Sequence, residues 1–157
     1  MTTHCPLFVD RYNVRSNVLV SGNEARPAAS VAEIRSILGV RSSDNLSNAE
    51  LLLLVEGDED KLTVAAILAH DSPTLALALE QGVLAIESIG GASNLSYELD
   101  RARDAICVPH VLLDDDDAGR DAADKARAGG QLSDVDLNLT TCAGKANAEL
   151  EDLLDPQ

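Results

Sequence analysis

Leu51-Leu52-Leu53-Leu54-Val55 is an unbroken apolar run that ends abruptly in Glu56-Gly57, and no other feature of the chain restricts its fold as much. A strand with one wet face alternates apolar and polar residues. An unbroken run fits a strand buried on both faces, inside a parallel sheet with helices on either side. It is too short to span a membrane. The residues that follow keep to this pattern. Leu62, Ala65, Ala66 and Ala69 recur at helical spacing, and Ser72-Pro73 supplies the N-cap and first-turn proline of a second helix that stops near Gly82. A strand is expected over 83–89. Leu95, Leu99, Ala102 and Ile106 form a helical stripe. Then come a strand over 108–113, an alanine-rich helix over 118–128, a strand over 135–139 and a short helix over 148–154. This alternation predicts an α/β fold, a mostly parallel four-stranded sheet flanked by helices.

Residues 1–50 read differently. They offer a strand over 17–20, a turn region around Gly22 and Pro27, and one short helix, Val31–Leu38. Ser30 and Glu33 form its capping box and Gly39 its C-terminal cap. A polar linker over 41–48 precedes the apolar run. Two segments are therefore expected, 1–50 and 51–157.

Composition narrows the function. The chain carries 27 acidic and 12 basic residues, a formal charge of -15, and its aromatics are Phe8, Tyr12 and Tyr97. Such a surface repels nucleic acid unless cations intervene, and stacking platforms for single strands are missing. The three cysteines, Cys5, Cys107 and Cys142, form no Cys-x-x-Cys pair. A disulfide framework or zinc site is not expected, and a reducing, cytoplasmic setting fits. The first twenty residues lack the apolar core of a signal peptide.

The acids cluster where sites form in open parallel sheets, just beyond the carboxyl ends of strands. Glu56 closes the first buried strand, and Asp60 follows near a helix start, where an anion is favoured. Asp114-Asp115-Asp116-Asp117 ends the third strand. Four adjacent carboxylates repel one another, and an Asp-x-Asp pair, Asp114 with Asp116, suits magnesium. Taken by themselves, Asp58, Glu59, Asp60 and the Asp run also read as helix caps. The run is no EF-hand loop, because Ala118 and Lys125 stand where ligands are required. Asp134 and Asp136 read as surface acids. Glu149, Glu151 and Asp152 open the last helix, with Lys145 on the loop before them. Gly90-Gly91-Ala92-Ser93-Asn94 is a turn whose Gly91 amide and Ser93 hydroxyl suit a phosphate.

The Leu54-Val55-Glu56-Gly57 segment and the later Leu113-Asp114-Asp115-Asp116-Asp117-Ala118-Gly119 segment together resemble the Toprim (topoisomerase-primase) domain over about residues 51–155. Within that group the chain most resembles the OLD-family (overcoming lysogenization defect) nucleases. Glu56 with Asp60 resembles their Glu-Gly-x-x-Asp motif, and Glu149-Leu150-Glu151-Asp152-Leu153 their C-terminal acidic motif. The resemblance implies a Rossmann-like Toprim fold and magnesium or manganese held by Glu56, Asp60, Asp114, Asp116 and Glu151, with Glu149 and Asp152 left open. It implies Glu56 and Lys145 as catalytic residues and DNA, reached through the metals, as substrate. The segment His4-Cys5-Pro6-Leu7 resembles the switch-histidine end of an ABC-type ATPase core. By that resemblance, 1–50 is the end of an ATPase core plus a linker. No Gly-Lys-Ser/Thr loop precedes it, so ATP hydrolysis by this chain alone is not expected, and an ATPase domain or chain is the implied partner. Membrane attachment is not expected, and homo-oligomerisation is left open. Three functions compete: a metal-dependent endonuclease, a non-catalytic regulatory or docking module from a truncated or split system, and phosphoryl transfer on Asp114 aided by Lys145. Metal explains Glu56 and the Asp-x-Asp better than the third does.

Overall fold

The computed structural model describes residues 3–40 and 46–154. The polar linker expected over 41–48 lies partly outside them, at 41–45. The chain opens with a 3-10 turn, Pro6–Phe8, and a second, Val14–Ser16. The antiparallel hairpin of β1 (Val18–Ser21) and β2 (Glu24–Pro27) follows. Gly22 and Asn23, both at positive φ (59° and 67°), form the two-residue turn that matches strand twist. The sequence expectation was only a turn region here. β2 exists because the hairpin turn sets it opposite β1, although Glu24 and Arg26 hide any strand signal.

α1 (Val31–Leu38) has the predicted ends: Ser30 Oγ accepts from Glu33 N–H, and Gly39 is left-handed at φ 70°. Val31 and Ile34 pack with Ala28 and Ile106. Arg35 of α1 is buried. It donates to the carbonyls of Ala105 (2.6 Å), Leu46 (3.0 Å) and Ala49 (2.5 Å), which precede the two central strands described next. The N-terminal segment is thus pinned to the foot of the sheet.

The sheet has four parallel strands: β3 (Leu51–Val55), β4 (Leu84–Ser88), β5 (Val108–Asp114) and β6 (Leu137–Thr140), in the order β4-β3-β5-β6. Helices α2 (Asp58–Asp71), α3 (Pro73–Glu80), α4 (Leu95–Asp104), α5 (Asp117–Ala128) and α6 (Leu150–Leu154) connect or follow them. The apolar run of β3 serves both faces. Leu52 and Leu54 join Leu95 and Leu99 of α4 and Ala122, Ala123 and Ala126 of α5. Leu53 and Val55 join Val64 and Leu68 of α2, Leu79 of α3 and Leu150 of α6. The fold is therefore α/β, a parallel four-stranded sheet flanked by helices, as the alternation predicted. No helix among the described residues is long and apolar enough to cross a membrane.

The second Asp-x-Asp departs from expectation. Asp134 is exposed, but Asp136 is buried. A 3-10 turn, Asp134–Asp136, replaces the start of the expected strand and rotates Asp136 inward. There it accepts from Ser133 Oγ (2.6 Å) and the Tyr12 hydroxyl (3.3 Å). Those donors offset its desolvation.

Candidate metal centre

The strand order places a topological switch point at the centre of the sheet. From β3 the chain moves to β4 on one side, then crosses to β5 on the other. Ligands of open α/β sheets bind outside the carboxyl ends at such a point. The residues found there are Glu56, directly after β3, and Asp114, the last residue of β5.

Glu56 is half-buried. Its Oε1 accepts from Ala92 N–H (3.3 Å), and its backbone carbonyl accepts from Gly91 N–H (3.1 Å). Its Oε2 is shut off from solvent and has no hydrogen-bond partner among the described residues. An ionised carboxylate oxygen only accepts, so this atom lacks either a donor or a cation. The Asp114 carboxyl is pushed up to about 6. Burial is the main cause, followed by the negative charges of Glu56, Asp60 and Glu149, while the Leu150 N–H pulls the other way. The charges of carboxylates from three parts of the chain thus act on one strand end. Among the described residues, no group of three or more His, Cys, Asp or Glu side chains is gathered as a metal-ligand set.

The other predicted residues are placed as follows. Asp60 turns back to accept from Gly57 N–H (2.7 Å), closing the first turn of α2 while its charge still bears on Asp114. Asp116 is the N-cap of α5, with Oδ1 accepting from Gly119 N–H (2.6 Å). Glu151 is exposed on α6. Lys145 is ion-paired with Asp152, which also accepts from Glu149 N–H (3.0 Å). Ser93 is exposed, and Gly91, at φ 106°, gives its N–H to Glu56. The charges of Glu56, Asp60 and Glu149 bear on Asp114, while Asp116 is engaged as a helix cap, Lys145 with Asp152, and Glu151 is exposed.

Sequence reasoning missed Arg120. Its guanidinium donates to Asp115 Oδ1 (2.7 Å), Asp117 Oδ1 (2.8 Å) and Asn147 Oδ1 (3.0 Å). It neutralises two of the four aspartates and ties α5 to the loop before α6. The signal was the i, i+3 spacing of Asp117 and Arg120 on a helix. Gly119 completes the local geometry, because a Cβ there would lie 2.2 Å from the Asp114 carbonyl oxygen. Only glycine lets α5 start so close to the end of β5. No family model matches the chain, and neither does any curated protein or solved structure.

Proposed function

We propose that this chain is a metal-dependent endonuclease domain of the Toprim type, the C-terminal part of an OLD-like ATPase-nuclease, acting on DNA in the cytoplasm. The observation that carries the reading is the buried, unpartnered Oε2 of Glu56 at the same sheet end as an Asp114 carboxyl raised to about 6 by burial and by the charges of its acidic neighbours. Carboxylate oxygens are the donors that magnesium or manganese takes, and a cation relieves the repulsion among them. Glu56 and Asp114 would hold the ion, with Asp60 and Glu149 supplying further negative charge. When bound, such an ion supplies Lewis acidity toward a phosphoryl oxygen.

The chain's own residues do the rest. Glu56 keeps Oε1 fixed by Ala92 N–H and leaves Oε2 to the ion. Arg120 keeps Asp115 and Asp117 neutralised, so the local field on an approaching phosphate is set by fewer acids. Lys145, on leaving Asp152, offers a positive charge to the developing phosphorane. The test is plasmid nicking with magnesium, with manganese and with chelator, for the wild type, Asp114→Asn and Lys145→Ala. Metal-dependent nicking that Asp114→Asn abolishes and Lys145→Ala slows is expected. Absence of nicking under every metal condition contradicts the enzyme reading.

A second reading is a non-catalytic metal-binding regulatory or docking module. It is favoured by Asp116 and Asp60 serving as caps and Lys145 being ion-paired. Metal binding without cleavage selects it.

A further inference from the structure

An exposed apolar surface lies on the hairpin side of the molecule. Residues 16–20 line a groove of about 590 Å³ together with Phe8 and with Ile34, Ile37 and Leu38 of α1. Phe8, Val18 and Val20 are 61%, 60% and 63% exposed.

Among the described residues, β1 pairs with β2 alone. Ala28 N–H donates to the Asn17 carbonyl (2.8 Å), which fixes the alternation along the hairpin. Leu19 and Ser21 turn their backbone groups toward β2, and Val18 and Val20 turn theirs away. The two outer edges differ. On β2, Pro27 has no N–H to offer, and Glu24 and Arg26 add charge, the devices by which proteins block edge pairing. From Asn17 to Gly22, β1 has neither proline nor charge. Its outer edge is unpaired among the described residues and carries the β-branched Val18 and Val20.

Charge selects the occupant. Residues 1–40 hold Arg11, Arg15, Arg26 and Arg35 against Asp10, Glu24 and Glu33, close to neutrality in a chain of -15. Two copies that meet through this end bring near-neutral segments together, whereas the rest of the chain carries nearly all of its net negative charge. A strand edge is also self-complementary about a twofold axis, the requirement for a closed dimer.

We propose that two copies of this chain associate antiparallel along β1, forming a continuous sheet β2-β1-β1-β2. Leu19 faces its own counterpart, and the outward backbone groups of Val18 exchange with those of the second copy's Val20. The groups used are those that β2 leaves free. The proposal is independent of the metal reading.

Sedimentation of the 157-residue chain over a wide concentration range tests it, with three variants. Val20→Pro removes an outward N–H and leaves the β1–β2 ladder intact. Val20→Lys keeps the N–H and adds charge to the edge. Ala25→Lys does the same on the far edge, on β2. A concentration-dependent dimer is expected for the wild type and Ala25→Lys. Both Val20 variants should raise the dissociation constant at least about tenfold with an unchanged circular-dichroism spectrum, the equivalent of 1.4 kcal/mol. Should Val20→Pro disturb the spectrum, Val20→Lys carries the comparison alone. A wild type that stays monomeric overturns the proposal, and so does a dimer that Val20→Lys leaves intact.

Discussion

Asp114 carries the clearest electrostatic signature in the molecule, and it makes the metal-free protein sensitive to pH. Its carboxyl is raised from 3.8 to about 6 in the folded state. A raised carboxyl favours the folded state while it is protonated. That contribution is fully present below the unfolded value and is lost as pH rises through the folded one. Metal-free protein should therefore lose this contribution between about pH 4 and 6, and millimolar magnesium or manganese should restore stability above pH 6. Melting curves with chelator and with metal across that range check both. Asp114→Asn removes the repulsion with Glu56, Asp60 and Glu149. It should raise the metal-free melting temperature at pH 7 by roughly 1 kcal/mol after allowing for solvent screening of a partly exposed group, about 2–4 °C in a chain this size. The same variant should show no gain from metal. A lower melting temperature without metal contradicts the assigned repulsion. Glu56 and Asp114 were legible in the sequence because a carboxylate that ends a buried apolar strand has few ways to stay solvated. Glu149 was not distinguishable from Glu151. Both side chains are exposed, and it is the charge of Glu149 that bears on Asp114, because the Asp115 N–H bond to the Ala148 carbonyl (2.9 Å) ties the chain just before Glu149 to the end of β5. Asp116 was equally ambiguous, since Asp-x-Asp at a strand end reads the same as ligand or as helix cap.

Element boundaries followed local chemistry closely wherever a cap or an apolar period existed, as at Ser30, Ser72-Pro73 and β3. Docking between elements did not, because it depends on tertiary partners. Arg35 shows this: an arginine in a short surface helix reads as solvated, yet it holds the carbonyls of Ala105, Leu46, Ser47 and Ala49 together at the foot of β3 and β5. Arg35→Met keeps the aliphatic bulk and removes the guanidinium donors, leaving the Leu46 carbonyl to the Ala49 N–H and the Ala49 carbonyl to the Cys107 thiol. It should destabilise the fold by about 2 kcal/mol, because several buried hydrogen bonds from a charged donor are lost. Urea denaturation measures it, and a change below about 0.5 kcal/mol, the range of ordinary surface substitutions, means the contact contributes little. Gly119 is the other junction. Gly119→Ala drives a methyl group into the Asp114 carbonyl, moving the start of α5 away from the end of β5. A loss of about 1–3 kcal/mol is expected from the overpacking, together with weaker metal binding. An equally stable Gly119→Ala protein shows that α5 can retreat without cost.

At the scale of the whole molecule, charge and topology point the same way. The sheet order puts its switch point between β3 and β5, and the acids collect there rather than spreading evenly. The alternation of strand and helix made the sheet legible. The strand order was not, because it is fixed by packing of α2 and α3 on one face and α4 and α5 on the other. A net charge of -15 also sets a limit on DNA as substrate. Any cleavage should weaken as monovalent salt rises, since the bridging cation must compete with the counterions of both polyanions. The most direct measurement of the central claim is a calorimetric titration of manganese into the chelator-treated protein, repeated on Glu56→Gln and Asp114→Asn. Saturable binding by the wild type that both variants lose, with their folded spectra unchanged, is the predicted result. A wild type that takes up no manganese, or variants that bind it as the wild type does, would contradict a metal centre at these strand ends.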